Sequence, residues 1–159
     1  MMAAVPRPAV TVDYRLHERR ARRRRSGWQT SGGVVLDVAS GTVLVVRTRR
    51  ESRGGRVGWT WPKGVLDEHE GPVFAAIREI AEEAGVHAEP LARIAVIETK
   101  RALRHYFLFT KIRDGLPFGA ETLEISWVSL RDAKVLLERK RDRRVLRAAR
   151  RALGALRSA

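Results

Sequence analysis

Residues 64–86 read GVLDEHEGPVFAAIREIAEEAGV, and within them Glu79, Glu82 and Glu83 stand at i, i+3 and i+4. In a helix, that spacing crowds three carboxylates onto one face of about one turn. Like charges so placed are destabilising, and a hard divalent cation is the usual relief. Mg²⁺ or Mn²⁺ suits a set of oxygen ligands that leaves room for water and phosphate oxygens. The helix itself is well specified. Pro72 suits a first turn, Val73, Ala76, Ile77, Ile80 and Ala84 recur at three- and four-residue steps, and Gly85 is placed to end it in left-handed backbone. The spacing predicts a helix over 72–84 with its buried stripe separate from its acidic face.

Every fixed position of the pattern G-x5-E-x7-R-E-U-x-E-E-x-G-U, with U a bulky aliphatic, is filled by Gly64, Glu70, Arg78, Glu79, Ile80, Glu82, Glu83, Gly85 and Val86. The segment therefore resembles the Nudix box. An exposed acidic helix with a glycine cap would need none of Gly64, Glu70 or Arg78 at these positions. The resemblance extends over roughly residues 28–150 and implies an α/β fold, a Nudix-type α/β/α sandwich with a mixed β-sheet. It implies a Mg²⁺-dependent pyrophosphohydrolase that directs water at a phosphorus of nucleoside diphosphate-linked compounds. Glu82 and Glu83 then look like the principal metal ligands, Glu79 a third ligand or the catalytic base, and the backbone carbonyl of Lys63 a further ligand. Arg78 would orient Glu79 by a paired hydrogen bond, and Glu70 would brace the loop. Gly64 would allow the tight loop and Gly85 would close the helix. The family often adds a glutamate from the loop before the last strand. Glu121, six residues before Trp127, fits that place better than Glu124, which reads as a strand residue.

Outward from the box, Trp28–Asp37 and Thr42–Arg47 read as two strands joined by the turn Ala39-Ser40-Gly41, a hairpin. Leu91–Lys100, Leu103–Arg113 and Glu124–Ser129 read as three more strands, and 130–157 as a helical tail in one or two pieces. The tail's stripe of Leu137, Val145, Leu146, Ala149, Leu153 and Leu156 is expected to pack on the domain with its arginines facing solvent. Residues 48–58 form a basic, glycine-rich loop suited to receiving substrate, with Arg49 and Arg50 as candidate phosphate contacts. Lys63, Trp61, His105 and Tyr106 are further candidates for substrate binding. Each also has a structural reading: a solvated lysine, core aromatics, a satisfied histidine.

The chain has 159 residues and 44% apolar content, enough for one domain with a sizeable core. It contains no cysteine, which excludes disulfides, thiolate nucleophiles and zinc–thiolate sites and favours a cytoplasmic protein. The sequence offers neither an apolar run of membrane-spanning length nor a signal-peptide stretch. The net charge of +14 resides at the two ends. Residues 15–25 hold seven arginines against Glu18, and residues 131–157 hold eleven lysines or arginines against three acids. A basic N-terminal extension (1–27) thus precedes a catalytic domain (28–157), and Arg15–Arg25 with the C-terminal helix could meet RNA or another polyanion. Dinucleoside polyphosphates or nucleoside triphosphates, oxidised ones included, are the expected substrates. An RNA 5′-pyrophosphohydrolase or decapping enzyme, a diphosphoinositol polyphosphate hydrolase and a nucleic-acid-binding module are the alternatives. Monomer and homodimer both remain open.

Overall fold

The structure, a computed structural model, describes residues 27–49 and 57–158. The basic run Arg15–Arg25, Arg50 and most of the glycine-rich loop lie outside the described residues. In chain order come β1 (Trp28–Asp37), β2 (Thr42–Thr48), β3 (Trp59–Thr60), β4 (Lys63–Val65), α1 (Pro72–Ala84), β5 (Val86–Glu98), β6 (Ala102–Asp114), β7 (Thr122–Val128), α2 (Leu130–Leu136) and α3 (Lys140–Arg157).

The sheet runs β3-β2-β1-β6-β5, with β4 paired to β1 and β7 to β2. It is mixed, because β1 and β6 are parallel from Trp28↔Ala102 to Leu36↔Thr110 while β1–β2, β2–β7 and β5–β6 are antiparallel. The expected hairpin closes with Leu36 opposite Val43.

Side chains on successive strand residues point to opposite faces. Val34, Val43, Val45, Tyr106 and Leu108 accordingly enter one core beneath α2 and α3, while Val35, Leu44, Val46, Phe107 and Phe109 enter another beneath α1. Covering both faces is what permits runs such as VLVV and YFLF, which would strand half their apolar surface in water on a one-sided sheet.

The helix over 72–84 forms as expected. Its capping residue Gly85 adopts φ 66°, a left-handed conformation that any side chain would strain, and its N–H reaches the carbonyl of Ala81 at 2.9 Å. Two boundaries differ from the sequence expectation. β5 begins at Val86 rather than Leu91 and carries Pro90 inside it. It is an edge strand with three register shifts, and an edge tolerates a proline because one side of it has no ladder partner. Ser129, expected to end the last strand, instead caps α2 by accepting the Asp132 N–H at 3.0 Å. The tail forms two helices and buries the expected stripe, while Arg143, Arg144, Arg147, Arg150, Arg151 and Arg157 face solvent. Among the described residues no helix is long and apolar enough to cross a membrane.

Candidate active site

The acidic face of α1 opens on a cavity of about 780 Å³ lined by Glu79, Glu82, Glu83, Arg78, Trp28 and the segment Gly119–Thr122. Three of its carboxylates come from one helix turn. Asp67 joins them from the box loop, and Glu121 arrives because its own loop is fastened to that helix's end. Gly115 N–H donates to the Gly85 carbonyl (2.7 Å), Gly119 N–H to that of Glu82 (2.8 Å) and the Thr122 hydroxyl to that of Glu83 (2.7 Å). Carbonyls in a last helical turn have no partner within the helix, so a passing strand can dock on them. Arg49 braces the same loop, with its N–H on the Glu121 carbonyl (2.7 Å) and its Nε on that of Ala120 (3.1 Å). Its guanidinium thus holds the wall of the cavity. Glu124 points elsewhere, to Arg47 on the neighbouring strand at 2.9 Å.

Arg78 is the hub of the acidic face. Its guanidinium grips both oxygens of Glu70 (Nε to Oε1 2.9 Å, Nη2 to Oε2 2.8 Å) and donates to Glu79 (2.9 Å), to Glu82 (3.2 Å) and to the Val65 carbonyl (3.0 Å). The paired bond expected toward Glu79 is therefore made to Glu70, and Glu79 receives a single one. This geometry fits Arg78 as a positioning residue. Glu70 also accepts the Asp67 N–H (2.9 Å), tying the box loop to the helix. The hydrogen bonds from Arg78 hold the Glu70 carboxyl below the usual glutamate range, and Glu70 in turn raises Arg78 above the usual arginine range.

Gly64 lies within β4 and not in the tight loop expected of it, and its role is one of packing. A Cβ on it would overlap the Glu79 carboxylate, which rests directly against the β4 backbone. Gly64→Ala is therefore expected to displace Glu79 and lower kcat about 100-fold, the cost of roughly 1 Å of misplacement, with little change in the unfolding midpoint. Steady-state kinetics beside a thermal melt checks this. Parental turnover would mean that Glu79 needs no such seat.

The remaining candidates lie away from the cavity. Lys63 sends its N–H to Glu83 (3.0 Å), while its Nζ turns to the Thr60 hydroxyl (3.0 Å), which itself donates to Asp142 of α3 (2.9 Å). Burial lowers the Lys63 ammonium to about 8, partly offset by Asp142. Trp61 is fully buried, and its indole N–H donates to the Asp142 carbonyl (3.0 Å). Its place in the box entry is explained by that bond to α3, so it buttresses the core and does not wall the pocket. Tyr106 is equally buried, its hydroxyl pushed up to about 12 chiefly by desolvation, and His105 contacts the Gln29 side chain at 3.2 Å beneath the surface. Neither is open to a substrate. The aromatic that does line the cavity is Trp28, which is 69% exposed. In the sequence it reads only as the first residue of a strand.

The donor set suits Mg²⁺ or Mn²⁺, being carboxylates without imidazole or thiolate. Among the described residues, however, no three such groups converge closely enough to hold an ion. The reason is visible: Arg78 takes Glu79 and Glu82, and the Lys63 N–H takes Glu83. The relief that the sequence assigns wholly to a cation is thus shared by one guanidinium, which leaves the cavity acidic.

A mixed sheet covered by helices on both faces, with a glutamate-lined cavity on one helix turn, defines an α/β/α sandwich with an acidic site. A model of the NUDIX domain matches residues 27–149. The chain belongs to the Nudix family. It is 30% identical over 160 residues to the putative mutator protein MutT4 of Mycobacterium tuberculosis (strain CDC 1551 / Oshkosh), covering 89% of this chain and 63% of that protein. It is likewise 30% identical over 117 residues to the RNA pyrophosphohydrolase of Cellvibrio japonicus (strain Ueda107), covering 70% and 65%. The chain thus spans somewhat less than two thirds of each relative's length. Among solved structures, a NUDIX hydrolase from Nitrosomonas europaea aligns with a TM-score of 0.67 at 16% identity, covering 80% of this chain and 90% of that one.

Proposed function

We propose that this protein hydrolyses phosphoanhydride bonds of nucleoside diphosphate-linked compounds with Mg²⁺, or Mn²⁺ in its place, and that dinucleoside polyphosphates or nucleoside triphosphates, oxidised ones included, are its substrates. The observation that carries this reading is the meeting of Glu79, Glu82, Glu83 and Glu121 around one cavity large enough for a polyphosphate. A bound divalent cation would neutralise phosphate charge and make water a better nucleophile. Glu82 and Glu83 are the residues to hold it. Glu79, seated on Gly64 and steadied by Arg78, would serve as a third ligand or as the base, and Glu121 offers a further carboxylate across the cavity.

A second reading, removal of a 5′ pyrophosphate from RNA, draws support from the relative named RNA pyrophosphohydrolase and from the row of solvent-facing arginines on α3. One panel separates the two. The protein is incubated with Mg²⁺ and dinucleoside polyphosphates, canonical and oxidised triphosphates, ADP-ribose and triphosphorylated RNA, and the products are resolved chromatographically. Turnover of the small nucleotides at least about tenfold above RNA in kcat/KM is the expected result. RNA turnover that dominates and falls steeply with salt would favour the second reading, and a chain inert toward every substrate would defeat both.

A further inference from the structure

Trp28 opens β1 at the sheet end nearest the box and lines three recesses, one of them formed with the box loop from Val65 to Pro72. On one side lies the carboxylate cavity with Glu79, Glu82, Glu83 and Glu121. On the other is a groove of about 520 Å³ lined by Lys100, Arg101 and Arg104 together with Thr30 and Thr99. The backbone of Trp28 is anchored here, since its N–H donates to the Arg101 carbonyl at 3.1 Å and Trp28 pairs with Ala102 in the parallel ladder. A large apolar side chain 69% exposed at such a junction buries little on folding. Its indole face is available to a ligand. Of the other aromatics near the box, Trp61, Tyr106 and Phe107 lie in the cores, Trp59 packs against the Arg47 guanidinium at 5.8 Å and Trp127 against the Lys111 ammonium at 5.0 Å, while Phe74 and Phe118 are exposed but line none of these recesses.

From this juxtaposition we infer that Trp28 is the platform on which a base of the substrate stacks, and that the Lys100–Arg101–Arg104 groove receives a phosphate lying beyond the stacked nucleoside. The inference rests on the reading of the acidic cavity as the phosphoanhydride site and supplies the nucleotide recognition that the box lacks. Acid and base are divided as the chemistry requires. A cation and its phosphates belong with the glutamates, and a phosphate carrying no metal belongs with the cationic side chains. An indole between them accepts any base, because every base has a π face.

The test uses the full chain and non-hydrolysable probes in Mg²⁺, with affinities read by calorimetry. Adenosine 5′-(α,β-methylene)diphosphate carries the base, and methylenediphosphonate lacks it. Trp28→Ala is expected to weaken the first about 10- to 100-fold and leave the second unchanged, while Trp28→Phe restores most of the loss. The exposed pair Lys100→Gln/Arg101→Gln then distinguishes the sources of the outer phosphate. Weaker binding of a triphosphorylated dinucleotide alone assigns it to a 3′ phosphodiester, and weaker binding of a bis-methylene diadenosine tetraphosphate alone assigns it to a polyphosphate chain. Equal affinity of Trp28→Ala and parent for the adenosine probe overturns the platform, and a double variant that weakens neither dinucleotide overturns the groove. Hydrolysis is assayed on the same preparations. A parent that hydrolyses but binds without regard to Trp28 refutes only the platform, whereas one that binds through Trp28 and hydrolyses nothing refutes only the hydrolase reading.

Discussion

Glu83→Gln is expected to reduce Mg²⁺-dependent turnover by about 100-fold or more while leaving the domain folded. The prediction separates two roles that one side chain performs. A glutamine keeps an oxygen that can accept the Lys63 N–H, now held at 3.0 Å, so β4 stays tied to α1. It loses the negative charge that a hard cation requires. Losing a supporting partner of a metal ligand typically costs 10- to 100-fold, and removing a ligand's own charge should cost at least as much. Nor can the neighbours readily compensate, because Glu79 and Glu82 are already shared with Arg78. Initial rates over a Mg²⁺ titration, with circular dichroism as the check on folding, measure the effect. Parental turnover with an intact spectrum would refute Glu83 as a metal ligand.

The largest effect on stability is expected away from the cavity, at Asp142. This aspartate is fully buried in the first turn of α3, where it accepts the Thr60 hydroxyl and stands near the Lys63 ammonium, while its backbone carbonyl takes the Trp61 indole. A carboxylate in a helix's first turn is favoured by the helix dipole. Removing one member of a buried charged network leaves the others desolvated without compensation. Asp142→Ala should therefore cost about 3 kcal/mol of unfolding free energy. Thr60→Val, which breaks the link but leaves both charges, should cost less, about 1 to 2 kcal/mol. Denaturant melts of the two variants against the parent decide it. A loss under about 1 kcal/mol for Asp142→Ala would show that the network adds little beyond packing.

The helix over 72–84 was legible because its signals are local: a proline at the first turn, apolar residues at helical spacing, and a glycine where the backbone must turn left-handed. The strands were legible in the same way, as apolar runs too short for helices. β3 and β4 were not, since two- and three-residue strands exist only through their partners, Val46 and Arg47 for one and Thr30, Ser31 and Gly32 for the other. Nor was the start of β5, where an edge position excuses Pro90.

Among the site residues, Glu79, Glu82 and Glu83 needed only helical spacing to be grouped. Glu121 needed the fastening of its loop to the end of α1, although the pattern ending at Trp127 pointed to it. Trp61 and Tyr106 were candidates because an aromatic residue looks alike in sequence whether it stacks on a base or fills a core. Arg49 was a candidate because its positive charge says nothing of the two carbonyls it binds.

By itself, then, the sequence determined the grouping of three glutamates on one helix turn and the basicity of the two ends, because each depends on near neighbours in the chain or on composition, while the sandwich class followed from the family resemblance. Tertiary structure alone decided which oxygens Arg78 grips, that Gly64 seats Glu79, that Lys63 turns toward Asp142 rather than the cavity, and that Trp28 stands exposed between acid and base. Those outcomes turn on distances between residues up to 82 positions apart, as from Thr60 to Asp142, and such distances are set by the packing of both cores.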